Sequence, residues 1–189
     1  MAHASPADST SGFTLTEVAI AMLLVAVALT GNMRLVSVSV RAAAAARVQT
    51  STTALAHEKA EAIRALTWTV GEAGDRLSDS VTDLSPPTPG TGGSGLSPSP
   101  AGSLEGDVPG YVDYLDAAGG WVGRGPAMPP GAVFVRRWSV RPLPEDSLDT
   151  LVAQVLVTTR AHAALGAAAA ARRLPGDARL VLVLTRKRR

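Results

Sequence analysis

Residues Val18–Leu29, VAIAMLLVAVAL, are apolar without exception. Read at helical period, such a run has no polar side, so it must be covered on every face, by a large core or by lipid. Phe13 and Leu15 extend it upstream. The 17 residues Phe13–Leu29 reach roughly 25 Å as a helix, slightly short of a bilayer core. Glu17 stands at the head of this run. A carboxylate in hydrocarbon costs about 2.5–3.5 kcal/mol on insertion scales, so it is either a boundary group or a functional one. The apolar residues upstream of it favour the functional reading.

The helical pattern continues past the apolar run. Leu35, Val36, Val38 and Val40 follow, then alanines 42–46, and no proline stands between Pro6 and Pro86. Val48, Leu55, Ala62, Ile63, Leu66 and Val70 keep helical spacing, with Glu58, Glu61 and Arg64 mostly off that stripe. The expectation is one helix from Phe13 to about Trp68, apolar all round in its first half and amphipathic in its second. Gly31-Asn32 is its expected weak point, and Gly71 and Gly74 end it.

Residues 78–110 are rich in Pro, Gly, Ser and Thr and read as a long irregular loop. After Gly110 the period changes to two. Tyr111–Asp116 and Trp121–Val122 flank a turn at Ala117-Ala118-Gly119-Gly120. Ala132–Arg141 reads as a strand with Phe134, Trp138 and Val140 on one face. Leu151–Thr159 and Arg179–Thr185 are two more strands, and Ala161–Arg173 is a candidate short helix. Four or five short strands cannot build two layers, so their apolar face needs the amphipathic helix half as its cover. The fold class is therefore α+β: a long N-terminal helix on a small antiparallel sheet. The expected organisation is a leader at 1–12, a membrane and assembly helix at 13–33, an amphipathic half at 34–70, a loop at 71–110 and the sheet at 111–189.

Aromatic residues are 4% of the chain, so its core rests on Val, Leu and Ala. No cysteine is present, which excludes disulfides, thiolate metal sites, a cysteine nucleophile and N-terminal cysteine lipidation. Residues 120–189 hold twelve basic and four acidic groups. The arginines are interleaved with strand residues and no stacking aromatics repeat among them, so a solvated sheet face is expected and a nucleic-acid partner is not. No catalytic constellation is legible, and neither enzyme activity, cofactor nor metal is expected. His3, His57 and His162 are scattered, and His57-Glu58 has no second histidine one turn on. Asp113 and Asp116 read as turn acids rather than calcium ligands, and Arg186–Arg189 as a solvated tail.

Two other accounts of the N-terminal segment fit less well. A secretory signal wants a positive n-region and a small-residue cleavage site, and residues 1–12 contain no Lys or Arg. A plain single-pass anchor explains the hydrophobicity but neither Gly12-Phe13 before Glu17 nor the helix beyond. The stretch GFTLTEVAIAMLLVAVAL closely resembles the class III signal of type IV pilins and type II secretion pseudopilins. More loosely, AHEKAEAIRAL, VFVRRWSV and LVAQVLVTT resemble minor pilins of the pilus-modification class. The resemblance implies cleavage by a prepilin peptidase between Gly12 and Phe13, N-methylation of Phe13, and Glu17 as the family's assembly glutamate. It also implies a structural subunit, anchored by a single pass in the inner membrane with its C-terminal part outside the cytoplasm. Its helix would pack with other pilins or pseudopilins in a pilus or pseudopilus. Thr16 stands where the family is usually apolar, and Gly31 near where it commonly has proline. The physical basis is that an amine at Phe13 and a neighbour's Glu17 carboxylate cost less together in low dielectric than either does alone. The alternatives are a type II secretion minor pseudopilin, or a membrane-anchored binding or adhesin protein that does not assemble.

Overall fold

The computed structural model describes residues 12–66, 96, 98–143, 149–166, 172 and 174–185. The leader through Ser11, the expected helix end near Trp68, the loop residues 67–95 and the basic tail Arg186–Arg189 lie outside them. The chain divides into two units, Met1–Ala44 and Ala45–Arg189.

In the first unit the only described element is the beginning of helix α1, whose full span is Leu15–Arg64. Its residues in this unit are all exposed. The backbone stays helical through Gly31-Asn32, so the expected weak point does not interrupt it. A glycine costs about 1 kcal/mol against alanine in a helix, too little to break a run of good helix formers. Thr30 and Ser37 lie on this segment, and their hydroxyls donate to the carbonyls of Ala26 (2.8 Å) and Arg34 (2.9 Å), so they carry no unmet hydrogen bond.

The second unit is the remainder of α1 and a five-stranded antiparallel sheet. The strands are β1 (Val112–Leu115), β2 (Trp121–Gly123), β3 (Phe134–Pro142), β4 (Thr150–Thr159) and β5 (Ala178–Thr185), in the order β2-β1-β3-β4-β5. Here α1 buries Thr52, Leu55, Ala56, Lys59, Ala60 and Ile63, a stripe of i, i+3, i+4 spacing. Ala56 and Ala60 leave little bulk between helix and sheet. Against them lie Trp138 and Val140 of β3, Val155 and Val157 of β4, and Leu182 of β5. The face expected for Phe134, Trp138 and Val140 is the one turned to the helix. On the opposite face Val112, Tyr114 and Val135 pack with Ala132, Met128 and Ala163, and Leu156 and Thr158 of β4 are buried as well.

The β1–β2 turn forms where expected. Asp116 caps it, its carboxylate accepting from the backbone N–H groups of Ala118 and Gly120, both at 2.8 Å. Gly119 takes φ +86° and lies under Leu55; a Cβ there would come within 2.9 Å of Leu55 Cδ2. The short helix after β4, α2, is a single turn, Arg160–Ala163, where the alanine content suggested a span to Arg173. Residues 167–171 and 173 of that span lie outside the described ones.

Candidate functional site

Two places hold charge next to apolar surface. The first is the head of α1. Thr14 is followed three residues later by Glu17, and the two form a reciprocal cap. The Glu17 carboxylate accepts from the backbone N–H of Thr14 (2.9 Å) and from its hydroxyl (3.1 Å), while Thr14 Oγ1 accepts from the N–H of Glu17 (3.3 Å). This is a capping box, which satisfies orphan donors at the helix start and sets a negative charge against the positive end of the macrodipole. The signal was present in TLTE as a Thr-x-x-Glu pattern, and the sequence reading, fixed on the carboxylate alone, passed over Thr14.

Phe13, ahead of the helix, lines one shallow surface with Glu17, Val18, Ala21, Met22, Val25, Ala26 and Leu29 of α1. Phe13, just before the helix, and Glu17 in its first turn border one end of an otherwise apolar strip. Phe13 is 88% exposed. Gly12, just before it, has open space where a Cβ would sit. The helix is long and apolar enough to cross a membrane, and none of its apolar stretch is buried within the chain.

The second place is the seam between α1 and the sheet in the second unit, and the sequence reading missed it. Lys59 and Asp113 are both fully covered, with Lys59 Nζ 2.7 Å from Asp113 Oδ2. The same oxygen accepts from Arg136 Nε (3.2 Å) and Nη2 (3.0 Å). Arg136 Nη1 donates to the Leu55 carbonyl (3.1 Å) and lies 3.3 Å from the rim carboxylate of Glu58. The Lys59 ammonium sits over the Trp138 ring, 4.0 Å from its centroid. Burial pushes the Lys59 ammonium below its ordinary value, and the Asp113 charge opposes that shift. Burial likewise raises the Tyr114 phenol, whose hydroxyl donates to the Gly125 carbonyl (2.8 Å).

Two expectations are corrected here. Asp113 is not a turn acid: it sits in β1, on the face turned to the helix, and neutralises two buried cations. Nor do all the β3 arginines form a solvated face, although Arg141 is exposed. Arg136 is buried in this seam and Arg137 is buried against Asp107 (2.6 Å) on the other side. Strand alternation alone puts Arg136 on the Phe134–Trp138 face, and i+4 spacing puts Lys59 between Leu55 and Ile63. The signal existed, but a charge on an apolar stripe is usually discounted. Elsewhere, His57 is exposed and His162 Nδ1 lies 2.8 Å from Asp177. Among the described residues no group of three or more His, Asp or Glu is placed to hold a metal ion.

The charged seam joins helix to sheet with its charges buried against one another, whereas at the head of α1 a charged group stands on a surface that no described residue covers. No family model, curated protein or solved structure matches the chain.

Proposed function

We propose that this chain is a minor pilin or pseudopilin, a structural subunit that is inserted in the membrane, trimmed by a prepilin peptidase between Gly12 and Phe13, and N-methylated at Phe13. Its α1 then joins a bundle of like helices in a type IV pilus or a secretion pseudopilus. The observation that carries the reading is the uncovered apolar strip headed by Phe13 and Glu17. A surface of this kind is stable only in lipid or among other apolar helices. Exposure of Gly12-Phe13 suits access by a protease, and a free amine at Phe13 would lie within a helical turn of a carboxylate.

The capping box refines the role of Glu17. Before assembly the carboxylate is held by Thr14, so its charge is partly met within its own helix. In a bundle, the amine of a neighbouring subunit supplies the countercharge and fixes axial register.

Mass spectrometry of the mature chain tests the reading. An N-methylated Phe13 is expected, and Gly12→Leu is expected to accumulate uncut precursor. An intact Met1 would favour an anchored, non-assembling protein instead. Glu17→Gln separates the two roles of the carboxylate, because glutamine can cap but carries no charge. Processing should persist in Glu17→Gln while incorporation into sheared filaments falls as far as in Glu17→Ala. Incorporation at the wild-type level would reduce Glu17 to a cap.

A further inference from the structure

One cation interrupts the apolar surface of α1. Between Glu17 and Arg41 the sequence holds a single charged residue, Arg34. It is exposed, and so are the apolar residues around and beyond it, Met33, Leu35, Val36, Val38 and Val40. Val18 to Val40 make about 35 Å of helix, enough for a hydrocarbon core of about 30 Å with some tilt. Glu17 to Arg34 is only about 25 Å, so the two charges do not both clear such a core. No Asp or Glu stands between Glu17 and Glu58, so α1 itself offers Arg34 no counter-charge within about 25 Å. Arg34 borders a shallow groove with Ala26, Val27, Thr30 and Gly31. Those residues lie on the turns before it, the side to which helical side chains lean, and here that is toward the middle of the apolar run. The Thr30 hydroxyl is spent on the Ala26 carbonyl (2.8 Å), and the space over Gly31 is open.

A cation above an apolar groove matches an amphiphile with an anionic head. A carboxylate from another helix would answer the charge, but it would leave the groove unfilled and would itself have to be desolvated. A lipid phosphate answers both features. Its oxygens accept from the guanidinium fork, and an acyl chain lies along Ala26, Val27 and Gly31. We propose that Arg34 and the groove beside Gly31 bind one anionic phospholipid, from the leaflet away from the N-terminus. The bound phosphate pins the depth of α1 and with it the level of Glu17, about 25 Å along the helix. This inference deepens the reading above: it rests on insertion of α1 in a membrane, and not on trimming at Gly12-Phe13 or on assembly.

The test uses the full chain in dodecylmaltoside micelles with added dioleoylphosphatidylglycerol, and native mass spectrometry counts the lipids each chain retains. Saturation at one lipid per chain is expected. Arg34→Gln should weaken retention at least about tenfold, and Arg34→Lys less, because an ammonium keeps the charge but not the bidentate fork. Gly31→Leu fills the groove with the charge still in place and should weaken retention about fivefold; the open space over Gly31 lets the helix accept it. Dioleoylglycerol lacks the phosphate and inorganic phosphate lacks the chains, so neither should be retained. Equal retention by Arg34→Gln or by Gly31→Leu, or equal retention of dioleoylglycerol, would overturn the site. So would a dimer of the wild-type chain that Arg34→Gln abolishes, since that would give the arginine to a second copy. Flotation with vesicles of phosphatidylcholine and phosphatidylglycerol separates the two levels of the reading. A chain that floats but retains no lipid through Arg34 defeats this proposal alone, whereas a chain that does not float defeats membrane insertion with it.

Discussion

Helix α1 contains two regions built from similar helix formers that reach opposite ends. From Leu15 to Ala44 every side chain is exposed, Phe13 just before them included; from Thr52 to Ile63 one stripe is buried and the rest stays in solvent. Helix propensity does not separate them, since alanine, valine and leucine dominate the first and alanine and threonine abound in the second. The separation lies in the pattern. Where polar residues occupy one side, the apolar side is narrow enough for a five-stranded sheet to cover it. Where no polar side exists, one small sheet cannot cover every face, and no described residue buries that stretch. A helix thus forms from local preference, but its environment is chosen by which positions are polar.

This contrast can be broken from either side. The largest effect is expected from Asp113→Asn, which removes the buried carboxylate that Lys59 and Arg136 share and leaves Arg136 beside the rim carboxylate of Glu58. A loss of roughly 3–5 kcal/mol is expected for breaking such a pair from one side. Denaturant unfolding in micelles, followed by tryptophan emission, measures it, and partition into the membrane fraction should not change. Next is Leu24→Arg, at the middle of the apolar run. It should cost about 2.5–3.5 kcal/mol of membrane insertion and leave unfolding of the sheet unaltered. An insertion assay with glycosylation reporters on the two sides reads this directly. If Leu24→Arg also destabilised the sheet, the two regions would not be independent.

Smaller is Lys59→Met, which removes a desolvated charge but keeps Asp113 paired to Arg136. A change below about 1.5 kcal/mol at neutral pH is expected, because a buried ion pair replaced by an apolar group of similar volume is often nearly neutral. Its pH dependence has a definite sign. The folded-state pKa of Lys59 lies below its ordinary 10.5 because burial disfavours the ammonium. Between those two values the unfolded chain binds more protons, so Lys59 contributes stability that rises with pH. The wild type should therefore gain on Lys59→Met as pH climbs toward 10.5, and the difference should be flat below the folded pKa. Tyr114 acts in the opposite direction in both proteins: its raised pKa keeps the proton in the folded state, so its contribution is lost above its ordinary 10.0. Between Leu24→Arg and Lys59→Met in size falls Gly119→Ala. It sets a left-handed backbone and a 2.9 Å approach to Leu55 against a flexible leucine terminus, and a cost of about 1–3 kcal/mol in the same unfolding assay is expected.

Much of the architecture was legible because it depends on period. The 3.6 repeat from Leu15 through Leu66 gave the helix, and the change to period two after Gly110 gave the strands. The turn at Ala117–Gly120 followed from its glycines. The one-turn α2 was over-read, since alanine content signals propensity and says nothing of what the following residues pack against. At the candidate site, Gly12, Phe13 and Glu17 were visible from order and spacing, but Thr14 as the partner of Glu17 was overlooked. The Lys59–Asp113–Arg136 cluster was not found because its members are 54 and 23 residues apart and each alone is a commonplace charge.

What the sequence determined by itself is where helix and strand occur and that one helical segment is apolar on every side, since both follow from which side chains are polar at a fixed period. What only the tertiary structure decided is which charges meet. Asp113 becomes a counterion because the sheet order sets β1 beside β3 and α1 lies across them, bringing Lys59 within 2.7 Å. Partnership between distant residues is set by the geometry of packing, which no local pattern contains.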